Sequence, residues 1–149
     1  MAIVAGAADG IGLAITEAFL REGTSAVAGD IQQDKGAAEA ARLSSCGAIS
    51  FVDCDVLVNN AAVAIAGKIT EMPEEDWDRL MNTNLKSFYR AVKLVLPDML
   101  AQGAGSVINL SSTQAFRSWH NWTAYEAAKG AILAMTRQLA GQFGEHGIQ

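Results

Sequence analysis

The sequence predicts an α/β fold in which a parallel sheet is covered by helices on both faces. Three observations carry this. Short apolar runs alternate with segments of helical period, a glycine-rich turn joins the first run to the first such segment, and the runs end on small or polar residues. Residues 2–5 form a run short enough to be a buried strand. Ile11, Ala14, Ile15, Ala18 and Phe19 then recur at i, i+3, i+4, i+7 and i+8, one face of a helix that Gly23 is placed to end. Residues 25–29 read as a second strand closed by Asp30, 35–43 as a helix, 48–54 as a third strand and 56–58 as a further apolar run. Pro73 followed by Glu74, Glu75 and Asp76 suits a helix start. A longer helix is predicted from about Leu85, with Phe88, Tyr89, Val92, Leu96 and Met99 on its inner side. Residues 106–110 form a strand and 124–143 the last helix.

Composition narrows the function classes. With 149 residues, 50% of them hydrophobic and 18% charged, the chain suits a single domain over residues 1–149 with one core. Sixteen acidic against eleven basic residues, with no Lys/Arg cluster, argue against nucleic acid and against an anionic membrane surface as partners. No apolar run reaches the ~18 residues of a spanning helix. Residues 1–9 lack the basic segment of a signal peptide, so a cytoplasmic protein is expected. Cys46 and Cys54 stand eight apart, which fits neither a redox CxxC nor a zinc knuckle. They read as reduced cysteines, and no metal is expected.

Gly6, Ala7, Ala8, Asp9, Gly10, Ile11 and Gly12 occupy the turn between the first strand and the first helix. Glycines let a backbone approach a pyrophosphate, and a helix N-terminus offers unpaired N–H groups at the positive end of its dipole. Asp30, eighteen residues past Gly12, is placed to accept both adenosine ribose hydroxyls and to repel a 2′-phosphate. Asp9 adds to that repulsion, so NAD is favoured over NADP. Tyr125 and Lys129 are four apart on a predicted helix and share a face. An ammonium beside a phenol favours the charged phenolate, which makes such a tyrosine a general acid/base. Ser112 ends a strand and is positioned to hydrogen-bond a substrate carbonyl.

Taken together, the 6–12 turn, Asp30, Asn59-Asn60-Ala61-Ala62, Asn84 within Asn82-Thr83-Asn84-Leu85, Ser111-Ser112 and Tyr125-x-x-x-Lys129 resemble the short-chain dehydrogenase/reductase family, in family order and over nearly the whole chain. The resemblance implies a Rossmann-like three-layer sandwich. It also implies reversible hydride transfer between a nicotinamide and a small alcohol or carbonyl substrate. Tyr125 would exchange the proton, Lys129 would hold the nicotinamide ribose and tune Tyr125, Ser112 would polarise the carbonyl, and Asn84 would order a water at a helix irregularity. Gly6, Asp9, Gly10, Ile11, Gly12, Asp30, Asp55, Val56, Asn60, Ala61, Tyr125 and Lys129 would contact the cofactor. Arg117, Trp119, His120 and Trp122 lie in a stretch that borders the substrate pocket in such enzymes. A homo-oligomer through the helices at 85–101 and 124–143 is expected.

The sequence departs from the family in three ways. Ala5 and Ala62 replace a usual Thr and Gly; the hydroxyl lost at Ala5 removes one hydrogen bond, worth only ~1 kcal/mol. Residues 51–56, which match the end of the family's third strand and its adenine-contacting Asp-Val, run straight into 57–60, which match its fourth. In a 3-2-1-4 order those strands stand about 14 Å apart. A parallel return also climbs about 17 Å, so the link needs at least ~6–7 extended residues and has none. The sheet is therefore expected to be incomplete: 56–59 keeps the central place, 48–54 is displaced or irregular, and the connecting helix is missing. Finally, the sequence stops where the family continues into further strands, which reads as internal and C-terminal truncation and would expose Leu133, Met135 and Leu139. Two functions follow: a dehydrogenase, or a non-catalytic NAD-binding or helix-mediated interaction protein derived from one.

Overall fold

The computed structural model describes residues 1–30, 33–47 and 56–149. Its strands β1 (Ala2–Ala5), β2 (Ala26–Gly29), β3 (Val56–Asn59) and β4 (Ser106–Asn109) form one parallel sheet in the order β2-β1-β3-β4. Val4 lies beside Ala28 on one side and Val58 on the other, and Val58 lies beside Ile108. The chain leaves β1 toward one edge and returns to the other side for β3, so the strand order reverses between them. That reversal opens a crevice at the carboxyl ends of β1 and β3, where Gly6 and Asn60 follow their strands.

Among the described residues five α-helices complete the layers: α1 (Gly10–Arg21), α2 (Gln33–Leu43), α3 (Glu74–Met81), α4 (Ser87–Gln102) and α5 (Thr123–Phe143). Alternate strand residues face opposite layers. Val4 and Val58 pack with Ala7, Ile15 and Phe19 on the α1 side, while Ile3 and Leu57 pack with Val92, Val95 and Met99 of α4. The architecture is the Rossmann-like α/β sandwich expected from the sequence.

Val56–Asn59 takes the central place, hydrogen-bonded to β1 and to β4. The expected third strand at 48–54 lies outside the described residues. Two helix faces are rotated from the expected ones. In α1 the buried residues are Gly12, Thr16 and Leu20, whereas Ile11 is 65% exposed. The reason is Gly12: a Cβ there would lie 2.1 Å from the Gly6 carbonyl oxygen, so the residue without a side chain faces the turn and sets the helix phase. In α4 the buried stripe is Phe88, Val92, Val95 and Met99, and Tyr89 points outward. Gly23, at φ +78°, ends α1 as expected and donates its N–H to the Leu20 carbonyl.

The free edge of β4 is partly covered by the last residues. Gly105 and Val107 donate N–H bonds to the Gly147 and Gln149 carbonyls, and Gln149 returns one to Gly105. Ile148 is buried against the Leu57 cluster, with Leu139 and Phe143 beside it. Leu133, Met135 and Leu139, expected to be exposed, are half-buried. Among the described residues no helix is long and apolar enough to cross a membrane, and no group of three or more His, Cys, Asp or Glu side chains could hold a metal ion.

Candidate active site

The crevice is built first by glycines. Gly6 (φ +71°) and Gly10 (φ +53°) adopt left-handed backbone that glycine reaches at little cost. Asn60, just past β3, donates its side-chain N–H to the Gly6 carbonyl at 3.2 Å and so ties the turn to the central strand. Ala61 is close as well: a Cβ on Gly6 would stand 3.1 Å from its Cα. Asp9 caps α1, accepting the Gly10 N–H at 2.7 Å. The N–H groups of Ile11 and Gly12, within the first turn, have no intrahelical acceptor and point out of the helix end. This cradle fits a phosphate.

Lys35, from the first turns of α2, pairs with Asp9 at 2.5 Å and holds its carboxyl below the usual carboxylate range, helped by the Gly10 N–H. The turn is therefore less negative than its sequence suggests, and the expected contribution of Asp9 to NADP rejection is offset. Asp30, at the end of β2, accepts the Ala8 N–H at 2.9 Å, which sets its carboxylate beside the turn. Val56 is a correction. It begins β3, paired with Ala2 and Ser106, about 10 Å from the strand end at ~3.3 Å per residue. That is the end of β3 away from the crevice, so Val56 stands apart from the glycine turn. Asp55 lies outside the described residues.

Around Tyr125 three further elements converge. Asn84 sits in a π-helical turn (Asn82–Lys86) between α3 and α4 and is fully buried. Its side chain accepts the Val63 N–H at 2.7 Å and donates to the Val63 carbonyl at 2.8 Å. Each end of the amide makes one bond to Val63, which leaves one N–H and one oxygen lone pair of Asn84 for a water at this turn. Asn84→Ala leaves both Val63 groups without these partners, and denaturant unfolding should show a loss of about 2–4 kcal/mol.

Ser112 follows β4 and caps a short turn (Thr113–Ala115), accepting the Gln114 N–H at 3.2 Å, a bond that leaves its own hydroxyl hydrogen for another acceptor. Tyr125 and Lys129 lie one turn apart on α5. Lys129 is buried, donates to the Leu110 carbonyl at 2.8 Å, and has its ammonium 5.7 Å from the Tyr125 ring centre and 5.8 Å from that of Phe88. Ser111 donates to the Lys129 carbonyl at 2.8 Å and locks β4 to α5. Burial pushes the Lys129 ammonium below the ordinary lysine value of 10.5. Unfolding then takes up a proton between the lowered value and 10.5, so the Lys129 contribution to stability rises with pH across that window. Denaturation of wild type and Lys129→Met should show the stability of the wild type gaining on that of the variant as the pH rises toward 10.5.

Some participants have no local sequence signature. The Leu110 carbonyl and the Val63 backbone bear no side-chain mark, and Lys35 stands 26 residues from Asp9. Asn59 donates to Asn109, and Asn109 to Thr136, binding the ends of β3 and β4 to α5. Strand alternation could have turned Asn109 toward that layer, but nothing marks Thr136 as its partner.

Comparisons agree with this geometry. A short chain dehydrogenase family model matches residues 1–56 and 49–149, the two matches sharing 49–56. Dehydrogenase/reductase SDR family member 6 from Rattus norvegicus is 34% identical over 163 aligned positions, covering 99% of this chain and 66% of the relative. Those positions outnumber the 149 residues of the chain, so the relative carries residues absent here. An uncharacterized oxidoreductase from Thermotoga maritima is 32% identical, covering 94% of the chain and 64% of the relative. The chain thus spans just under two thirds of these relatives. Among solved structures, a gluconate 5-dehydrogenase from Burkholderia cenocepacia in complex with NADP and tartrate superposes with a TM-score of 0.91 at 26% identity, covering 99% of this chain and 67% of the other. The family model spans the length of the chain, and the chain belongs to the short-chain dehydrogenase family.

Proposed function

We propose that residues 1–149 form one dinucleotide-binding domain that interconverts a small alcohol and its carbonyl compound. The observation that carries this reading is the buried Lys129 ammonium, fixed by the Leu110 carbonyl and 5.7 Å from the ring of Tyr125. The N–H groups of Ile11 and Gly12, with Gly6 and Gly10 beside them, would hold the cofactor phosphates, with Asn60 and Ala61 bordering them. Asp30 would take the adenosine ribose hydroxyls, and the remaining Lys129 donors the nicotinamide ribose. When bound, the cofactor supplies or accepts the hydride. Ser112 donates its hydroxyl hydrogen to the substrate oxygen. Tyr125 gives that oxygen its proton, or takes it in the oxidative direction. Lys129 stabilises the negative charge left on the phenolic oxygen. The finer preference, NAD over NADP, rests on Asp30 alone, since Lys35 offsets Asp9. The exposed Leu94 and Tyr89 of α4 favour association of copies through α4 and α5.

The test is thermal unfolding with NAD, with NADP and without either. NADH oxidation is then followed with a panel of small ketones, keto-sugar acids and 3-oxoacyl thioesters. A ligand at ~100 times its Kd adds ~2.7 kcal/mol, which should raise the midpoint by several degrees with NAD and less with NADP. Turnover of at least one panel member supports the dehydrogenase. A cofactor shift without any turnover supports the second reading, a non-catalytic NAD-binding protein.

A further inference from the structure

Resting on the reading of Tyr125 as the proton-exchanging group, we propose that Trp122 is a positioning residue for Tyr125, held by a left-handed Asn121 and a bridge from that residue to Gly67. Asn121 is the non-glycine residue with positive φ among the described residues, at +67°. Asparagine tolerates that region better than most side chains, yet such conformations persist only where surroundings hold them. The holding contact is visible: the Asn121 carbonyl accepts the Gly67 N–H at 2.7 Å, joining the segment after β3 to the loop before α5. The next residue, Trp122, meets Tyr125 edge to face, with ring centres 5.5 Å apart and planes at 75°. That is a favoured aromatic geometry, and it restricts the tilt of the tyrosine ring.

A second tie fixes the same turn. Glu126, beside Tyr125, accepts the Trp119 N–H at 2.5 Å, while the Trp122 carbonyl accepts the Glu126 N–H at 2.9 Å. Helix α5 has no side-chain cap at Trp122, so its first turn, which carries Tyr125, depends on these loop contacts for its position. The Tyr125 ring therefore lies between two constraints, the Lys129 ammonium and the Trp122 indole. Proton exchange needs the phenolic oxygen at a fixed place, and a displacement near 1 Å costs ~10²-fold in rate.

The chain has two tyrosines, so Tyr89→Phe leaves Tyr125 as the single reporter. In that background 3-fluorotyrosine labelling and fluorine NMR follow the Tyr125 ring, and NADH oxidation with the carbonyl panel follows turnover. Trp122→Ala and Asn121→Val should move the resonance toward that of free 3-fluorotyrosine and lower kcat at least tenfold, with KM within threefold. Trp122→Phe keeps a ring and should retain a third or more of the rate. Asn121→Gly keeps the left-handed backbone and should match the parent in both readouts. A Trp122→Ala resonance unchanged from the parent overturns the proposal, as does a loss confined to KM or an Asn121→Gly variant as impaired as Asn121→Val. If the parent turns over no panel member, the dehydrogenase reading fails, and the resonances still decide whether Trp122 holds Tyr125. If Trp122→Ala loses cooperative unfolding, the comparison is made with Trp122→Phe, and a resonance at the free position in that variant also overturns the proposal.

Discussion

Gly12→Ala is expected to destabilise the chain by more than about 4 kcal/mol and to remove cofactor binding, because the new Cβ would stand 2.1 Å from the Gly6 carbonyl oxygen and 2.7 Å from the Asn60 amide nitrogen. Neither neighbour can retreat cheaply. The carbonyl belongs to the left-handed turn, and Asn60 is the group that bonds it. The turn must open or α1 must shift away from β1, and either movement destroys the cradle. Against a typical domain stability of about 5–15 kcal/mol, a loss of this size takes most of the margin. Gly141→Ala is the control. It lies inside α5 with open space around it and should stabilise by about 0.5–1 kcal/mol. Denaturant unfolding of the two variants beside wild type checks both signs.

Tyr125→Phe should lower NADH-dependent reduction by about 10²–10⁴-fold, the usual contribution of a general acid/base, while leaving the unfolding midpoint and the cofactor-induced shift near wild type. The ring remains to pack against Trp122 and beneath the Lys129 ammonium. Only the phenolic oxygen is lost. Initial rates with the best panel substrate measure the fall. A variant retaining wild-type turnover would remove Tyr125 from the proton step and leave the family fold intact. A variant that also lost its cofactor shift would mean that the hydroxyl serves binding.

Most of the architecture was legible in the residue order. The apolar runs at the starts of β1, β2 and β4, the glycines before α1 and the i, i+4 pair on α5 depend on local period and on backbone freedom, which a sequence carries directly. Asn84 was placed at a helix irregularity, and it lies in a π-helical turn. Connectivity was legible too: with no residues to cross the sheet, 56–59 had to hold the centre, and it does. The inner face of α1 was misjudged, since hydrophobic spacing pointed to Ile11 where contact with the turn demanded Gly12. Val56 stands at the end of β3 away from the crevice, which its place in a local motif does not show.

What the sequence by itself determined is the set of chemical groups and their order: the glycine turn, Asp30, the asparagines, Ser112, Tyr125 and Lys129. What only the tertiary structure decided is which charges and polar atoms remain for a ligand. Lys35 reaches Asp9 and offsets it, Val63 takes one bond from each end of the Asn84 amide, and Leu110 supplies the carbonyl that holds the Lys129 ammonium in a buried place. The physical reason is that hydrogen bonds and charge pairing act over about 3 Å in space, whatever the separation along the chain. Periodicity reports only the neighbours within a turn or a strand.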